Sequence, residues 1–103
     1  MAAILRRASL AHASAVLRRR GAGEAGAIFI SVDYLDGRIS LYAPAPPRLD
    51  EDADINAPAR QFECVLQDSD ALTVNARMMR EEQFDSDLWW VEIEDRAGRI
   101  FAD

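Results

Sequence analysis

The 103-residue chain contains no lysine, one cysteine and one histidine. Each scarcity excludes something. A lone cysteine, Cys64, cannot close an internal disulfide, which points to a reducing, cytoplasmic setting. It also makes poor nucleophile material, because the sole candidate base is His12. No apolar run approaches the roughly 20 residues that a membrane helix needs. A surplus of positive charge is missing as well: the net charge of −6 argues against nucleic acid, whose binders neutralise phosphates with basic side chains.

What is present suits one domain spanning 1–103. Half of the residues are hydrophobic, enough for a small core. The charge is distributed unevenly. Through Gly23 there are five arginines (Arg6, Arg7, Arg18, Arg19, Arg20) and no acid; from Glu24 onward seven arginines face eighteen acids. The arginine-rich, acid-free opening has the composition of a transit peptide, yet it runs without a linker into strand-like sequence.

Periodicity predicts a helix at about 2–12 with Ile4, Leu5, Ala8 and Ala11 on one side, then strands at roughly 14–20 and 27–35. Asp36-Gly37 is the pair favoured in two-residue hairpin turns. Folding about it sets Tyr34 opposite Ile39, Val32 opposite Leu41 and Ile30 opposite Ala43. A proline-rich acidic loop follows at about 44–59. "QFECVLQ" alternates as a strand with Phe62, Cys64 and Leu66 inward. A helix at about 70–83, capped by Ser69 or Asp70, presents Ala71, Leu72, Asn75, Ala76, Met78 and Met79 inward, and Thr73, Arg77 and Arg80 outward. "LWWVEIED" and "RIFA", joined by a turn at Gly98, read as the last two strands. The expected class is α+β: a mainly antiparallel sheet of about six short strands in the order α-β-β-β-β-α-β-β, with both helices on one face.

Several motifs invite a function. "GAGEAG" (21–26) is a literal G-x-G-x-x-G. In a dinucleotide fold its last glycine opens a helix that holds the pyrophosphate; here Gly26 leads into the strand-like "AIFISV". A kinase-type glycine loop joins strands but needs a lysine, which the chain lacks. The motif is a glycine turn, and no cofactor is expected. Asp50, Asp52 and Asp54 imitate the start of a calcium loop, but Ile55 and Gln61 stand where glycine and glutamate belong, so no metal site is expected. Cys64, on the inward parity, reads as a small buried hydrophobe and His12 as the residue ending the first helix. No catalytic residue is assigned. Glu92 and Glu94 share a strand face, but acid–base work by paired carboxylates requires a cleft.

The tryptophans separate by alternation. Trp89, Val91 and Ile93 share the core parity, whereas Trp90 falls with Leu88, Glu92 and Glu94. An aromatic rimmed by acids has the anatomy of an interface anchor. Arg18 and Arg20 share a parity and make a candidate anion patch.

"VLRRRGAGEAGAIFISVDYLDGRISLYAPAP" together with "REEQFDSDLWWVEIEDRAGRIFAD" resembles a small bacterial family catalogued as domain-of-unknown-function family 1491. The likeness rests on the glycine turn, the "DG" hairpin, the "LYAPAP" strand exit and the tryptophan strand before "DRAGR". Members often read Asp-Pro-Asp where this chain has Asp85-Ser86-Asp87. The resemblance implies a bacterial, cytoplasmic, stand-alone domain and carries no catalytic residues. The expected function is non-enzymatic: protein–protein contact, with self-association as a homodimer or with another protein, at Trp90, Leu88, Glu92 and Glu94. The alternative is a binder of small anionic ligands using Arg18 and Arg20.

Overall fold

The computed structural model describes residues 2–22, 26–45 and 62–101. Two helices, α1 (Ala2–Leu10) and α2 (Ala71–Phe84), accompany five strands: β1 (Ser14–Arg19), β2 (Ile28–Asp33), β3 (Ile39–Pro44), β4 (Phe62–Ser69) and β5 (Trp89–Glu94). The α+β class holds, but the sheet is mixed. Its order is β1-β5-β2-β3-β4, with β5 parallel to β2 and the other neighbours antiparallel. Among the described residues the expected sixth strand is not formed. β5 lies between β1 and β2, so both of its edges are already paired, and a returning strand would have nothing to hydrogen-bond. The chain turns away instead. Asp95 accepts from the Arg99 backbone N–H at 2.8 Å and from Arg99 Nε at 2.9 Å, and Ile100 and Phe101 pack beside the sheet.

The helices lie on opposite faces of the sheet, not on one. Ile4 of α1 packs with Ile28, Ile30, Val32, Val91 and Ile93. Val74 and Met78 of α2 pack with Phe29, Leu41, Ala43, Leu88 and Trp90. Successive residues of β2 and β5 thus feed two separate cores, as strand alternation requires when both faces are covered. The arginine-rich opening is built into this arrangement, for Ile4 and Ala8 are buried.

Local chemistry sets the ends of the elements. α1 stops in a left-handed residue, His12 (φ 60°), with Ala13 N–H reaching Ala8 O at 2.8 Å and His12 N–H reaching Ser9 O at 3.0 Å. That pair of bonds is a Schellman closure, with histidine where glycine is usual. Asp70 caps α2 by accepting from Thr73 N–H at 2.7 Å.

The β2–β3 hairpin departs from the expected register by one residue. Ile30 faces Tyr42, Ser31 faces Leu41, Val32 faces Ser40 and Asp33 faces Ile39. The connection runs from Tyr34 to Arg38, with Leu35 (φ 64°) and Gly37 (φ 93°) left-handed. Asp33 Oδ1 accepts from Leu35 N–H, and Asp36 Oδ1 from Arg38 N–H. Two Asx-type closures therefore replace the two-residue turn. The register could slip because Ile28 through Val32 are all buried: with both parities inside, a one-residue shift exposes nothing apolar and burial does not oppose it.

Candidate functional site

The two predicted sites converge where β1 meets β5. Val16 of β1 stands opposite Glu92 of β5, and the register is interrupted between Leu17 and Arg19, leaving Arg18 as the bulged residue. Arg18 forms an ion pair with Glu92, and its guanidinium lies over the Trp90 ring, 4.4 Å from the centroid. A planar cation on an indole face with a carboxylate at its edge is a self-contained stack. The expected anion patch and the expected acidic rim therefore neutralise each other here. Arg20 and Glu94 are exposed.

Trp90 is no free anchor. Only 6% of its surface is accessible, it belongs to the α2-side core, and its Nε1–H donates to Ser31 Oγ at 2.9 Å. Leu88 is fully buried in the same cluster. Both are covered by their own chain. Trp89, expected at the centre of the core, is half-buried beside the α1-side cluster.

The glycine loop is also accounted for by packing. A Cβ on Gly21 or on Gly26 would collide with the backbone carbonyl oxygen of Asp87, and one on Gly21 would also meet the Trp89 ring. Ala22 N–H donates to that same carbonyl at 3.2 Å, and Trp89 N–H to Ala27 O at 2.7 Å. These two glycines let the loop close onto the turn that enters β5. Gly26 opens a strand, β2, and not a helix. Asp50, Asp52 and Asp54 lie outside the described residues.

Cys64 corrects another expectation. It is exposed. It faces Tyr42 on the outermost strand, and the β3–β4 register is irregular just beyond that pair. Partial desolvation still pushes the Cys64 thiol above the usual thiol range, and its Sγ–H donates to Leu66 O at 3.4 Å. His12 is exposed at the end of α1.

The strongest surface feature was assigned inward from the sequence. α2 carries two apolar stripes. Val74 and Met78 face the sheet, while Leu72 and Met79 are 83% and 65% accessible and Ala76 lies exposed between them. Of the six residues expected inward, Met78 alone is buried; Leu72, Asn75, Ala76 and Met79 form the outer face, and Ala71 is exposed too. Arg77, expected outward, is half-buried and bonds Glu81 at 2.8 Å. A helix with two stripes at helical spacing offers either one to the core, and the spacing alone does not choose.

The family model "Protein of unknown function (DUF1491)" matches residues 1–103. The chain is similar to a protein from A. tumefaciens solved in solution: 43% identical, TM-score 0.76, covering 90% of this chain and 79% of that one. It is similar also to a DUF1491 family protein from Caulobacter crescentus CB15 in a crystal structure: 33% identical, TM-score 0.76, covering 97% and 85%. No curated protein matches it. Among the described residues no helix is long and apolar enough to cross a membrane.

Proposed function

The chain belongs to the DUF1491 family of proteins of unknown function, and on that premise we propose that it is a non-enzymatic interaction protein that pairs with a second copy of itself through the outer face of α2. One observation carries the reading: Leu72 and Met79, one heptad apart with Ala76 between them, stand exposed on the side of the helix opposite Val74 and Met78. Contiguous apolar surface of this kind marks contact sites.

A second copy is the occupant that the stripe fits. The stripe is self-complementary: when two α2 helices cross antiparallel about its midpoint, Leu72 of each meets Met79 of the other across the small Ala76, and a single isologous contact covers both stripes. Elsewhere the chain's net charge of −6 opposes association with itself. The stripe itself is uncharged. The described fold also supports a contact role over the anionic-ligand reading, because Arg18 is engaged by Glu92 and Trp90. The lone thiol suits a bacterial cytoplasm like that of the source organisms of the two similar structures.

Sedimentation equilibrium across a hundredfold concentration range, on the parent and on a Leu72→Glu, Met79→Glu double variant, tests the pairing. The parent should move from monomer to dimer mass, while the variant stays monomeric with an unchanged circular dichroism spectrum. A parent that remains monomeric throughout, or a variant that dimerises as the parent does, overturns the proposal.

A further inference from the structure

The sheet has two edges. One of them, β1, pairs with β5 alone among the described strands. In an antiparallel ladder, alternate residues of an edge strand turn their N–H and C=O groups outward, which makes such a strand a template for another. Its side chains are equally specific. Ser14, Val16, Arg18 and Arg20 are exposed, and Ala15, Leu17 and Arg19 are half-buried. Val16 is 52% accessible. The segment through Gly23 contains no acid at all, although the whole chain holds eighteen.

We propose that the free edge of β1 accepts an extended acidic segment of another protein, added as a sixth strand. This goes beyond pairing through α2 and uses a different element. Exposed side chains on one strand face repeat every ~7 Å. On the face that Val16 shares with the bulged Arg18, an added strand places a carboxylate beside Arg18 and an apolar residue beside Val16, and a further acid past the end of β1 meets Arg20. The recognised segment is acidic, with an apolar residue for Val16. Arg18, although its charge is matched by Glu92, keeps guanidinium N–H groups that a second carboxylate can accept from. Its bond to Glu92 uses Nη1, its ring contact with Trp90 holds the guanidinium plane, and a guanidinium carries five N–H donors. Arg20 is exposed and makes no ion pair with any described residue.

The arginines also have a bland use, since charges and bulges on edge strands deter pairing between edges. The two roles differ in what an acidic strand does at this edge. The probe is a fluorescein-labelled decapeptide alternating glutamate and valine. Controls are the same peptide with proline at every valine, and one with lysine at every glutamate. Anisotropy should show saturable binding of the glutamate–valine peptide, weakened roughly tenfold by Arg20→Glu. The lysine peptide should not bind, and the proline peptide should bind far less, since proline lacks the N–H that a ladder needs. Hydrogen exchange should show new protection at β1 amides on binding, and the molecular mass should rise by one peptide per chain. No binding, equal binding of the proline peptide, or binding without protection at β1 overturns strand addition. Binding that the double α2 variant abolishes overturns it too, because the site would then be the α2 face.

Discussion

Trp90 and Trp89 occupy the reverse of the positions that alternation assigned, and their energetics should follow the burial. Trp90 fills the α2-side core and donates to the Oγ of Ser31, a residue only 1% accessible. Trp90→Ala should destabilise by about 3–5 kcal/mol, as expected for truncating a buried aromatic. That is a large part of the stability of any small domain. Trp90→Phe keeps most of the volume, loses the Nε1–H donor and should cost about 1–2 kcal/mol. Urea denaturation followed by circular dichroism separates the two. A Trp90→Ala protein with the parent's midpoint would place the indole outside the core.

The loop between β1 and β2 is where a motif yields to packing. Gly21 and Gly26 both back onto the Asp87 carbonyl, a backbone group that cannot swing aside as a side chain could. Gly21→Ala and Gly26→Ala should therefore each cost about 1–3 kcal/mol, the usual penalty of overpacking. Gly37, whose added Cβ would meet nothing within 4 Å, provides the comparison, since only its positive φ resists substitution. Gly37→Ala should cost about 1 kcal/mol. Thermal melts of the three variants test the order; a Gly26→Ala protein as stable as the parent would show that the loop moves away without penalty.

Across the whole molecule, acid should weaken the fold. Asp95 is held below the usual carboxylate range, chiefly by its side-chain bond to Arg99; burial opposes this, and the Arg99 backbone N–H adds to the lowering. Asp36 is lowered by Arg38, and Asp70 by the Thr73 N–H it caps. A carboxylate whose folded pKa is depressed contributes stability that is complete above its unfolded value, near 4, and lost as pH falls through the folded value. The melting temperature should thus hold between about pH 8 and 5 and fall below about pH 4. Asp95→Asn should make the acid decline shallower, and a melting temperature that rises from pH 5 to pH 3 would refute the linkage.

Much of this protein is decided locally and is legible in its residues. The boundaries of α2 follow from the Asp70 cap and from apolar spacing; β2 and β5 follow from their β-branched and aromatic runs; Gly26 opens a strand because the residues after it favour nothing else. The α+β class follows from those pieces. The rest depends on contacts that no single segment contains. Whether Trp90 or Trp89 is more deeply buried, which stripe of α2 meets the sheet, and which register joins β2 to β3 all turn on one fact: a helix covers each face of the sheet. Once both faces are covered, both parities of a strand become interior, and alternation loses its power to tell inside from outside. The missing last strand has the same origin. β5 takes its place between β1 and β2 only when the chain returns across the sheet through α2, and that placement leaves its edges with no vacancy for residues 98–101.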